Sequence, residues 1–82
     1  LLYIESLADY IRLHTTEDQI ITREKISHLE SKLPDTFVRI HRSFIVNKEH
    51  VRAFSREEVQ VSDHTLPISR TYKKHVLSLL EE

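Results

Sequence analysis

The stretch FVRIHRSFIVN, Phe37 to Asn47, decides how the chain is read. Its first five residues alternate, with Phe37, Arg39 and His41 on one face of a strand and Val38 and Ile40 on the other. One face is apolar and the other largely basic, and no carboxylate lies between Asp35 and Glu49 to neutralise Arg39 and Arg42. Two readings of that basic face stand open. It is solvated and pairs across a sheet with Glu5, Glu57 or Glu58, or it meets an anion from outside. The remainder, Phe44-Ile45-Val46 before Asn47, breaks the alternation and is expected to form a tight helical turn plugging a core.

Working outward, Leu1 to Ser6 reads as a strand. Tyr10 to Thr15 reads as a second, with Ile11 and Leu13 inward and Arg12 and His14 outward, and Gln19 to Thr22 completes a meander. From Arg23 the period changes. Ile26, Leu29 and Leu33 form one stripe on a helix of about two to three turns that stops at Pro34 and covers a sheet face. Beyond Asn47, Val51 to Phe54, Val59 to Val61 and Thr65 to Ile68 are three short strands. Turns fall at Ser55-Arg56-Glu57 and Ser62-Asp63-His64, and Pro67 belongs at a sheet edge. Tyr72, Val76, Leu79 and Leu80 mark a closing helix with Ser69 as its N-cap. The predicted fold is mainly β, small antiparallel sheets packed face to face with one or two short helices.

Composition narrows the function. With 82 residues, 39% hydrophobic and 30% charged, the chain makes one domain, and its apolar runs are far too short to span a membrane. Without cysteine it has no disulfide framework and no thiolate metal site. Without glycine it has no P-loop or dinucleotide cradle, and its turns must rely on Asp, Asn, Ser or Pro. The six histidines lack zinc-site spacing and no nucleophile motif is present, so neither catalysis, a metal nor a cofactor is expected. A start at Leu1 inside a strand, without methionine, reads as an N-terminally truncated piece of a longer polypeptide.

The net charge of −1 carries little information, but its distribution does. Residues 37 to 56 hold Arg39, Arg42, Lys48, Arg52 and Arg56 against Glu49 alone, and residues 69 to 75 hold Arg70, Lys73 and Lys74 against no acid. The second block falls at the start of the closing helix, where the macrodipole disfavours cations. Either these are inconsequential surface cations or an external anion docks at the helix N-terminus, a DNA phosphate being the natural candidate. Arg42-Ser43 at the end of a strand offers a guanidinium fork suited to guanine O6 and N7, with a hydroxyl for phosphate beside it.

These segments also resemble a known family. LLYIESLADYIRLHT, then ISHLESKLP followed by FVRIHRSFIVNKEHV, then TLPISRTYKKHV are similar, in that order and over essentially the whole chain, to LytTR-type DNA-binding domains, output modules of bacterial response regulators. The resemblance implies small antiparallel sheets whose loops reach into successive DNA grooves. It puts Asp9 and Tyr10 near DNA from the first loop, Arg42 and Ser43 from the basic turn, and Arg70, Tyr72, Lys73 and Lys74 from the closing motif. Arg42 and Arg70 would read base edges, Ser43, Lys73 and Lys74 would bind phosphates, and Arg39 and His41 would give support or secondary contacts. An acidic Asp9 would have to meet a cytosine amino group or avoid the backbone.

The implied partners are double-stranded DNA, a receiver domain in the full-length chain and a second copy in a homo-dimer on DNA, in the cytoplasm and away from membranes. Family members usually carry a strand or two before the segment matching LLYIES, so an exposed edge and strand-mediated self-association are expected here. The competing reading is a protein-interaction module using an exposed β edge and a basic patch. RNA binding is weaker, because the three phenylalanines and three tyrosines show no paired stacking motif.

Overall fold

The computed structural model describes residues 1–81. In chain order the elements are β1 (Tyr3–Leu7), β2 (Tyr10–His14), β3 (Gln19–Thr22), α1 (Ile26–Glu30), β4 (Phe37–His41) and β5 (Phe44–Asn47). A 3₁₀ turn (Lys48–His50) leads into β6 (Val51–Phe54), β7 (Glu58–Val61), β8 (His64–Pro67) and α2 (Lys73–Leu80). Two antiparallel sheets result, one in the order β3-β2-β1-β5-β4 and a second in the order β6-β7-β8. The fold is mainly β with few short helices, as the alternation pattern predicts.

Apart from its exposed edge strand β3, the larger sheet is a middle layer covered on both sides. On one side Ile4, Ile11 and Ile45 pack beneath Ile26 of α1, joined by Leu13, Leu29, Leu33 and Phe37. On the other, Tyr3, Val38, Ile40 and Val46 meet Val59, Val61, Leu66, Ile68 and Val76 from the second sheet and α2. Removing a fully buried isoleucine such as Ile45 to alanine costs on the order of 2 to 5 kcal/mol in such a setting.

This layering corrects the expectation for Phe44 to Val46, which form a strand and not a helical turn. β5 lies between β1 and β4, with Ile45 toward α1 and Val46 toward the second sheet. A strand covered on both faces needs apolar side chains at successive positions, so alternation disappears. The tight turn comes afterwards, at Lys48–His50, where the Asn47 Oδ1 accepts from the Glu49 N–H at 3.1 Å.

The same layering reverses His14, which points into the structure. Its ring stacks on Tyr3 with centroids 4.0 Å apart, and its Nε2 lies 3.1 Å from Glu5 Oε1. Burial, more than the neighbouring Glu5 carboxylate, pushes the Tyr3 phenol above its ordinary value.

The first helix is shorter than its apolar stripe. α1 ends at Glu30, and Leu33 reaches the core from a turn in which its N–H bonds to Glu30 O at 3.2 Å. Pro34 disfavours helical backbone at Leu33. At the other end, Ser69 is not an N-cap. α2 begins at Lys73 after Tyr72, and among the described residues no side chain caps it and the buried Ser69 Oγ has no hydrogen-bond partner.

Two-residue loops close the β1–β2 and β7–β8 hairpins, between Leu7 and Tyr10 and between Val61 and His64. The first loop residue has positive φ in both, Ala8 at 57° and Ser62 at 55°, where such loops prefer glycine. Serine is among the turn residues expected of a glycine-free chain; Ala8 is not.

Candidate nucleic-acid interface

Arg39 answers the question its strand poses. Its side chain is only 10% exposed, and its guanidinium meets Glu30 Oε1 at 2.6 Å, a carboxylate delivered by α1 from outside the strand pairs considered. It also donates from Nε to His41 O at 2.8 Å and from Nη2 to Arg42 O at 2.7 Å. Above it lies the Tyr72 ring, 5.7 Å away at its centroid. Arg39 is thus a strut under the β4–β5 tip, not a cation open to solvent.

The pairing register shifts between Arg39 and His41, and this irregularity turns the chain into the tip formed by Arg42 and Ser43. His41 Nδ1 accepts from the Ser43 N–H at 3.0 Å, which fixes the neutral imidazole with its proton on Nε2. Burial, then the Arg42 and Arg39 guanidinium groups, holds the His41 imidazole below its ordinary value. Ser43 O in turn accepts from the Ser6 N–H at 2.8 Å.

That last bond ties two hairpin tips together. β1 runs antiparallel to β5, with Glu5 opposite Phe44, so Ala8 and Asp9 emerge at the same end of the sheet as Arg42 and Ser43. Asp9 is exposed, and Tyr10 is 46% exposed. The closing motif joins this end through the Ser69 N–H, which donates to Ile40 O at 3.0 Å. Arg70 follows directly in a turn where the Tyr72 N–H bonds to Ser69 O at 3.1 Å. Segments far apart in sequence therefore meet at one end of the molecule.

The basic residues there are not equivalent. Lys73 Nζ lies 3.2 Å from both Glu57 carboxylate oxygens, so its conflict with the helix dipole is relieved within the protein. Arg70 precedes α2 and escapes the conflict. Arg42, Arg70 and Lys74 are exposed, and among the described residues none has a carboxylate within ion-pair distance. Among the described residues, Lys74 alone keeps an unrelieved charge in the first turn of α2.

One residue escaped the sequence reading. Arg56, in the β6–β7 turn, lines an open groove of about 750 Å³ with Arg70, Lys73, Lys74, Leu77, Ser78 and Glu81. It belongs to the first basic block, but nothing local showed that its turn would lie beside α2. No group of three or more His, Asp or Glu among the described residues is placed to hold a metal ion. Among the same residues no helix is long and apolar enough to cross a membrane.

Comparison with known proteins adds a family to this geometry. The sequence model of the LytTr DNA-binding domain family matches residues 1–81. The CO-responsive transcriptional regulator RcoM of Rhodospirillum rubrum is 41% identical over 58 residues, covering 70% of this chain and 25% of that protein. The sensory transduction protein LytT of Bacillus subtilis is 30% identical over 87 residues, covering 98% of this chain and 36% of its own length. The chain thus spans about a quarter to a third of these relatives. Among solved structures, the LytTr DNA-binding domain of a putative methyl-accepting/DNA response regulator from Bacillus cereus superposes with a TM-score of 0.85 at 26% identity, covering 99% of this chain and 81% of that one.

Proposed function

This chain belongs to the LytTr DNA-binding domain family, whose role is DNA binding in transcription regulation, and we propose that it reads a specific double-stranded sequence through loop side chains at one end of its larger sheet. One observation carries the reading: Arg42 and Arg70 project, without acidic partners among the described residues, from segments that the Ser69–Ile40 hydrogen bond holds together. Their forks suit guanine edges in a major groove. Lys74, Arg56 and Ser43 serve phosphates, and Lys73 joins them by giving up Glu57. Tyr72 and Arg39 hold the platform, His41 shapes the tip, and Tyr10 and Asp9 reach an adjoining stretch of the duplex.

In the full-length protein this unit is the output domain of a cytoplasmic two-component response regulator with a receiver domain elsewhere in the chain, and a pair of protomers occupies repeated sites. Support comes from the relatives' names, a sensory transduction protein among them, and from the fraction of their length that the chain covers. Selection of bound sites from a random duplex pool tests the central reading. A defined motif should emerge, and Arg42→Ala or Arg70→Ala should each relax preference at one position, costing about 1 to 3 kcal/mol. A pool that stays random, or selection indifferent to both changes, would refute it.

A further inference from the structure

We propose that the chain pairs with a second copy of itself through β3, edge to edge and antiparallel, about a two-fold axis midway between the Ile20 residues of the two copies. Four strands lie at sheet edges, namely β3 and β4 in one sheet and β6 and β8 in the other. Three of them carry devices that discourage pairing. β4 has an irregular register and receives the Ser69 N–H on Ile40 O. β6 has a register shift between Val51 and Ala53 and carries Arg52, while β8 carries Pro67, which has no N–H to donate. β3 has none of these.

Its sequence, Gln-Ile-Ile-Thr, is uncharged, and its pairing with β2 is regular from Ile11↔Thr22 to His14↔Gln19. Among the described residues no backbone group outside β2 bonds to it. Ile20 and Ile21 point to opposite faces and are 52% and 57% exposed. An edge paired regularly on one side only, with β-branched residues on both faces, is a template for another strand.

Charge identifies that strand as a second copy. Glu17 and Asp18 precede β3, and Arg23 and Lys25 follow it. Glu24 between the basic pair is already engaged by His28 and Lys32, which leaves this end cationic. An antiparallel copy sets each acidic end against the other's basic end. Opposed residues in a sheet share a face, so the two-fold axis must fall midway between one residue and the same residue of the other copy. Centred on Ile20, the pairing sets Glu17 opposite Arg23 of the partner; centred on Ile21, it sets Glu17 opposite Lys25 but brings Asp18 against Glu24 of the partner. Ile20 is the matched register.

The geometry has a consequence for DNA, which rests on the reading above. Edge pairing keeps α1 of both copies on one side of a joined sheet, so the axis stands normal to that sheet. The two Arg42 tips then point toward opposite ends, and such a dimer grips two separate duplex segments, not neighbouring sites on one straight duplex.

Sedimentation of the protein without DNA tests the pairing independently of DNA binding. The wild-type mass should rise from one copy toward two with concentration, and Ile21→Lys, at an exposed position, should hold it at one copy with an unchanged circular-dichroism spectrum. Glu17→Arg should weaken the dimer at least tenfold, and adding Arg23→Glu should restore it. A single copy at every concentration, a dimer indifferent to Ile21→Lys, or no rescue by the double reversal would overturn the proposal.

Discussion

Replacing Arg39 with alanine removes three hydrogen bonds at once, to Glu30, His41 O and Arg42 O, together with the contact beneath Tyr72. Bonds from a charged donor contribute about 1.5 to 3 kcal/mol each when well made. Both carbonyls lie near an exposed tip that water can reach, so their joint loss sits at the lower end of the summed range. The Glu30 side chain is 44% exposed and regains solvent, which limits the ion pair to below about 1 kcal/mol. Roughly 3 kcal/mol of stability should be lost, measurable by urea unfolding.

A gentler change separates strut from DNA contact. Glu30→Gln leaves Arg39 its two carbonyls but frees its charge, and the two roles then differ in sign. For a strut, anisotropy titrations against the selected duplex at increasing salt should give unchanged or slightly weaker affinity and the same salt slope. For a phosphate contact, releasing Arg39 would tighten binding and steepen that slope by about one. Steepening with Glu30→Gln, or an Arg39→Ala protein of undiminished stability, would refute the assignment.

Lys74→Ala should weaken binding to all duplexes alike and flatten the salt slope by about one, whereas Glu57→Gln, by releasing Lys73, should steepen it; both are read from the same titrations. His41 should make stability depend on pH. Its folded value lies below the unfolded one, so the unfolded chain takes up a proton first, and the contribution present above about pH 6.5 is lost as pH falls through the lower folded value. Protonated Nδ1 also cannot accept from the Ser43 N–H, and His41→Asn should flatten the dependence between neutral and mildly acidic pH in urea unfolding. Ala8→Gly and Ser62→Gly should each stabilise by about 0.5 to 1 kcal/mol, the relief of positive φ outweighing glycine's extra unfolded-state entropy, as thermal unfolding would register.

Much of the fold was legible because strands announce themselves locally. Phe37 to His41 was bounded correctly from alternation, and Gln19 to Thr22 from the turn before it and the meander pattern. Failures came where alternation carries no information about what lies beyond each face. A polar residue on the second face of β2 looked outward, yet that face meets the other sheet and His14 is buried in it. The apolar run of β5 looked helical for the same reason, since covering by α1 on one side and the second sheet on the other erases the pattern.

The interface divides along the same line. Sequence alone determined that two basic blocks exist, that Arg42 stands at a turn, and that a glycine-free chain cannot cradle a nucleotide in the usual loop. Only tertiary structure decided which cations are free. Glu30 reaches Arg39 because α1 folds over β4, and Glu57 reaches Lys73 because the β6–β7 turn abuts α2, while Arg42, Arg70 and Lys74 receive no such partner among the described residues. Charge pairing acts over a few ångströms in space, and no spacing along the chain reveals which residues packing will bring that close.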